Sequence, residues 1–269
     1  MVLEQFLDRK TVIRHFSFTF FLSMAYVFVA YGVQAIFFPG QSLATVLLLT
    51  ILLAPSLHHL VAMEEKIERY GVSHFFKRHR TIFKCYFGAF LGILAGFLII
   101  GSVQEQTLSY QTTQLENEHL SQEMIEGFIG QPYEPTMTTA FALFSHNIEY
   151  LLAGFVLSIF YGAGAVFLLV YNASFFAAFV MELFTRWAAA SQLTAVSFLH
   201  LLPESAGYIL MAMAGASLSR ALIHEKLTGQ AFKNVLKNDV ILLIFSVLFI
   251  LLAAFIETYV TAVMFHRII

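Results

Sequence analysis

The sequence predicts an all-α polytopic membrane protein of about seven transmembrane helices, with a cytoplasmic N-terminus, a C-terminus outside and a structured acidic outer loop. Three observations predict it. Of 269 residues, 59% are hydrophobic and only 12% charged, against roughly 25% charged in a soluble domain, and mean hydropathy is +0.76. The apolar residues fall in runs of about 20, enough to cross roughly 30 Å of hydrocarbon at 1.5 Å per residue. Lys and Arg cluster in alternate connecting segments, the pattern of cytoplasmic loops.

The expected spans lie near 15–38, 43–62, 82–103, 140–171, 173–190, 195–222 and 239–263. The first apolar stretch runs about 24 residues beyond Arg14. A cleavable signal has an apolar core of roughly 7–15 residues, so a retained span is expected. The fifth is short and carries Glu182, Arg186 and Trp187, which also suits a re-entrant segment. Basic residues in 1–14, 63–84 and 220–237 place those segments in the cytoplasm, and loop 104–139, with glutamates and no Lys or Arg, outside. Seven crossings keep 220–237 on the basic side, and a re-entrant fifth segment would not. The net charge of −2 is segregated along the chain and points to no nucleic-acid partner; the lipid bilayer of the cell membrane is the expected setting. The single Cys85 cannot form an intramolecular disulfide.

Two units are expected: an N-terminal hairpin with an interfacial cytoplasmic helix over 1–81, and a five-helix core over 82–269. In "MEEKIERYGVSHFFKRHR" (63–80), Ile67, Tyr70 and Phe75 are spaced among charges and Glu65 stands four residues before Arg69. This segment is expected to lie along the inner interface, anchored by Phe75 and Phe76, or to be a solvated linker. Loop 104–139 is too long to be shapeless in a compact protein. Leu108, Leu115, Met124 and Phe128 suggest an amphipathic helix standing on the third span, with Pro132 and Pro135 before the fourth. Such a loop could dock extracytoplasmic or membrane protein partners, or serve as a spacer.

Small residues recur at helical spacing: Gly88, Gly92 and Gly96 in the third span, Gly154, Ser158 and Gly162 in the fourth, Ala212 and Ala216 in the sixth. In lipid, close approach over small residues drives helix association. Packing within the chain is the expected use and a homodimer contact the alternative.

Ionisable groups inside the spans carry the functional question, since each costs at least ~2.5 kcal/mol at mid-bilayer on insertion scales. His146 and Glu149 lie in the fourth span beside Asn147, Glu182 in the fifth, His200 and Glu204 in the sixth, and Glu257 in the seventh. The topology puts all of them in the outer half, at similar depth, so a shared intramembrane polar cluster is expected. Each His–Glu pair, at i,i+3 and i,i+4, shares a helix face. Pro203 cannot donate to the carbonyl of Leu199, and a carbonyl so freed must be satisfied inside the protein or by water. Three uses fit. The first is structural, with carboxyls hydrogen-bonded to His, Asn147, Ser145 or Thr261. The second is an ion or small-molecule path. The third is a divalent metal such as zinc on His146, Glu149, His200, Glu204 and Glu257, with a metal-bound water for hydrolysis.

The order "HNIEYLLAGF", "YGAGAVFLLVYNASFFAAF", "HLLPESAG" and "LLAAFIETYVT" resembles the stage II sporulation protein M family of integral membrane proteins, over roughly 82–265. The positions carrying the likeness are Asn147, Gly162, Asn172, His200, Glu204 and Glu257; the chain departs from it where Leu201 stands in place of a glycine and Pro203 precedes the Glu. The resemblance implies a five-span core, a turn at Tyr171–Asn172 and, for its best-known members, a membrane scaffold that localises peptidoglycan-degrading partners, stage II sporulation proteins D and P, during engulfment. The expectation is a non-catalytic scaffold in envelope remodelling that docks partners through 104–139. The alternatives are an intramembrane metal-dependent hydrolase using the His/Glu cluster, and a transporter, for which paired broken helices are lacking.

Overall fold

The computed structural model describes residues 16–69, 71, 75–117, 134–160, 164–187 and 189–268. Every regular element among them is helical: α1 (Phe16–Phe37), α2 (Ser42–Glu68), α3 (Phe75–Val103), a 3-10 turn (Glu105–Leu108), α4 (Ser109–Asn117), α5 (Met137–Phe160), α6 (Gly164–Arg186), α7 (Ala190–His224), α8 (Gln230–Ile256), a π turn (Glu257–Thr261) and α9 (Ala262–Ile268). Six helical stretches are long and apolar enough to cross a membrane: Phe16–Phe37, His79–Val103, Met137–Phe160, Gly164–Thr185, Ala190–His224 and Gln230–Ile268. The apolar part of α2, Ser42–Leu57, is shorter.

Helix boundaries differ from the sequence expectation in three places. The run 140–171 is not one span, because α5 ends at Phe160 and α6 begins at Gly164. A Cβ on Gly164 would stand 2.6 Å from the Leu157 carbonyl oxygen, so only glycine lets the chain fold back so tightly. Hydropathy cannot register this break, since Gly and Ala leave the apolar run uninterrupted. The fifth helix is therefore 23 residues long, a full-length helix with Glu182 in its last turns. Asn172 lies inside α6 and not in a turn, because α5 already ends at Phe160 and α6 begins at Gly164. In 63–80, residues to Glu68 extend α2 and those from Phe75 begin α3, in place of a separate interfacial helix. Glu68 and His79 are both buried, which draws these helix ends into the bundle. Gly40 (φ 78°) and Gly71 (φ 95°) take the left-handed conformation at the two turns flanking α2.

The acidic segment after α3 is described through α4. Leu108 and Leu115 are buried there, and Gln111 donates to Ser174 Oγ at 3.0 Å, tying α4 to α6. Met124, Phe128 and Pro132 lie outside the described residues. α5 starts cleanly, with Thr136 Oγ1 accepting from the Thr139 N–H at 3.1 Å, as a helix N-cap does.

α7 is the central helix and packs on α2, α3, α5, α6 and α8. A Cβ on Gly207 would meet Ile250 at 3.0 Å and the Ser246 carbonyl at 3.1 Å, while Ser246 Oγ donates to the Gly207 carbonyl at 2.7 Å. The glycine face of α3 is filled by α1. Built Cβ atoms would fall 2.6 Å from Thr19 at Gly88, 2.1 Å from the Phe20 carbonyl oxygen at Gly92 and 2.8 Å from Val27 at Gly96. Gly154 lies against Leu168 of α6 and Met211 of α7; Gly162 is outside the described residues. α2 runs the length of the bundle. At its start Ser42 Oγ accepts from Tyr110 N at 2.9 Å, and at its end Glu68 takes the Ser217 hydroxyl.

Candidate functional site

The candidate site is a buried polar contact among α5, α7 and the π turn, at one level of the bundle. On α7, His200 and Glu204 are 6% and 9% exposed. His200 Nδ1 lies 3.0 Å from Thr261 Oγ1, itself 3% exposed. One turn further along α7, the Tyr208 hydroxyl stands beside the Glu204 carboxyl and lies 3.5 Å from the backbone carbonyl of Asn147 on α5. The Glu257 carboxyl stands within electrostatic range of Glu204.

Two backbone irregularities face each other here. α7 continues unbroken through Pro203, where the Leu199 carbonyl loses its helical donor. Opposite it, the Ala262 N–H bonds the Glu257 carbonyl, five residues back, and the Glu257 N–H is shared between Ala253 and Ala254. A π turn of this kind carries one extra residue per turn and is frequent at functional positions. It seats Thr261 against His200. Thr258 is fully buried beside it and bonds the Ala254 carbonyl at 2.9 Å.

The family model for stage II sporulation protein M matches residues 85–262, which run from within α3 through the π turn and so hold this whole contact. The chain belongs to this family. No curated protein and no solved structure matches it. The stage II sporulation protein M family chain is thus a membrane protein of several apolar helices, and α1 and α2 lie before the matched residues.

The sequence-predicted cluster is brought together only in part. His200 meets Thr261, Glu257 stands within electrostatic range of Glu204, and Asn147 joins through its backbone carbonyl alone. His146 and Glu149 do not join them: both are exposed on α5. Their shared face is real, but α5 packs through Ala140, Leu151, Gly154 and Ser158, which leaves that face outward. Glu182 is half-buried near the end of α6, where the adjoining Leu183 packs on Ala190 and Leu193.

This separation bears on the metal reading. A catalytic zinc takes three protein ligands, and among the described residues no group of three or more His, Cys, Asp or Glu side chains gathers to hold a metal ion. His146 and Glu149 stand apart from His200, Glu204 and Glu257, so the five candidate ligands do not form one metal site.

Sequence reasoning missed Tyr208, the π turn and a second polar group at the opposite end of the bundle. There Glu68 is 1% and Asp239 1% exposed; Glu68 accepts from Ser217 and lies 3.9 Å from His79 Nδ1. Asn234 donates to the Arg69 carbonyl at 2.9 Å, and Arg69 pairs with Glu225 at 2.7 Å. A signal existed. Glu68 falls eleven residues, about three turns, past Leu57, on the face that also buries Val46, Leu49 and Leu53.

Proposed function

We propose that this chain is a non-catalytic organiser of the cell membrane in envelope remodelling, crossing it seven times with a cytoplasmic N-terminus. Its acidic outer segment docks extracytoplasmic or membrane partners. The observation that carries this reading is the engagement of the buried polar groups in packing: His200 is tied to Thr261 and Tyr208 to the backbone carbonyl of Asn147 on the neighbouring helix. Groups so engaged fix helix positions, which a scaffold needs.

The run of α2 from Ser42–Tyr110 at one end of the bundle to Glu68–Ser217 at the other supports a seventh crossing beside the six longer apolar stretches. The basic residues of 63–84 and 220–237 then share one side, a placement that the Arg69–Glu225 pair supports. α4, at the start of the acidic segment, is braced on α6.

Replacing 118–133 with a Gly/Ser linker of equal length leaves α4 and the core intact. Formaldehyde cross-linking in the native cells is expected to recover peptidoglycan-degrading or other envelope proteins with the natural chain and to lose them with the replacement. Unchanged recovery with the replacement would overturn the docking role of this segment.

A further inference from the structure

We propose that the outward face of α5 is a two-fold contact between two copies of this chain, closed by reciprocal His146–Glu149 pairs. α5 is the most exposed of the six apolar stretches, with 17% of its apolar window buried against 28% or more in the others. On the side turned from α7, Ala142, His146, Glu149, Ala153, Val156 and Phe160 are all exposed. These positions step by four and three residues in strict alternation, the spacing of a seam that faces a second helix.

The polar residues sit in the middle of this seam. Along the 24-residue helix, His146 lies about 14 Å and Glu149 about 18 Å from its start, too deep for either short side chain to reach water. Facing lipid there is costly, and such residues turn to protein or a wet cavity. The His146 ring lies edge-on to Tyr150, centroids 4.9 Å apart, and neither side chain has a hydrogen-bond or ion-pair partner among the described residues.

A second copy supplies what is missing. Two copies inserted alike are related by an axis along the membrane normal, so their α5 helices run parallel. In an isologous contact each residue meets the same patch. His146 then finds the partner's Glu149 one turn away, and Glu149 finds the partner's His146, an N–H donor to a carboxyl acceptor. Ala142 and Ala153, one layer to either side, let the backbones approach closely. A purely apolar partner helix would leave both groups unmatched. The inference rests on α5 crossing the membrane and is independent of any docking by the outer segment.

The test uses the full chain carrying Cys85→Ser, reconstituted at high dilution in phosphatidylcholine–phosphatidylglycerol vesicles. Oxidation is expected to link Ala142→Cys and Ala153→Cys into dimers and to leave Leu152→Cys, 53% exposed but off the seam, at background. His146→Glu sets like groups against each other and should weaken the dimer about tenfold or more. The exchange His146→Glu with Glu149→His should restore it. Equal linking at Leu152→Cys and Ala153→Cys overturns the proposal. So does a natural chain counted as single subunits by photobleaching, or an exchanged variant that stays monomeric.

Discussion

His200 Nδ1 and Thr261 Oγ1 lie 3.0 Å apart, and this contact joins a proline-bearing turn of α7 to the π turn that follows α8. It fixes the relative height of two helices that both have irregular backbone at that level.

Thr261→Val keeps the shape of the side chain and removes the hydroxyl, so the imidazole loses its partner. The expected cost is about 1–2 kcal/mol, read as a lowered unfolding midpoint in detergent. A double-mutant cycle with His200→Ala should return a coupling of about 0.5–1.5 kcal/mol, the range of interhelical hydrogen bonds in membranes. A coupling near zero would mean that the two groups are neighbours without consequence.

Gly92→Ala should destabilise the docking of α1. The added methyl would lie 2.1 Å from the Phe20 carbonyl oxygen, and a backbone atom cannot step aside without moving its helix. The expected loss is about 1–3 kcal/mol. Gly32→Ala, with nothing within 4 Å, should be neutral or stabilising by up to ~1 kcal/mol. Thermal unfolding of both variants and protease sensitivity of the 38–41 turn distinguish the two outcomes.

At the other end of the bundle, the buried and the exposed ion contacts should differ sharply. Glu68→Ala empties a fully buried carboxyl position facing Ser217 and His79, with an expected cost of about 3 kcal/mol or more. Arg69→Ala breaks a pair whose arginine is 36% exposed and should cost at most about 1 kcal/mol. Denaturation in graded detergent mixtures, with the two variants side by side, measures the contrast.

Chelation should leave the fold untouched. Because no three of the described His, Cys, Asp and Glu residues are placed to hold a metal ion, overnight treatment with EDTA is expected to leave the unfolding midpoint of the purified chain unchanged. Elemental analysis should find no stoichiometric zinc. Stoichiometric metal that is lost in Glu204→Gln would restore the hydrolase reading.

Much of the architecture was legible without coordinates, because lipid imposes it. Apolar runs near 20 residues and segregated basic loops follow from the cost of exposed backbone and charge in hydrocarbon, so each segment reports its own fate. The His200–Glu204 element and Glu257 were likewise conspicuous, being ionisable groups in apolar runs. The break at Gly164 was hidden, because its cause is the proximity of Leu157 and not its polarity. The π turn was hidden too, since no local residue demands an i→i−5 bond.

The sequence by itself determined that the chain is a helical membrane protein, which residues are too polar for lipid, and the family to which α3 through the π turn belong. Only the tertiary structure decided which of those polar residues meet. Periodicity tells which side chains share a face of one helix, but not which face that helix turns to its neighbours. On α7 the polar face is turned inward, to Thr261 and Asn147. On α5 packing through Leu151 and Gly154 won the inner side, and His146 and Glu149 were left looking out.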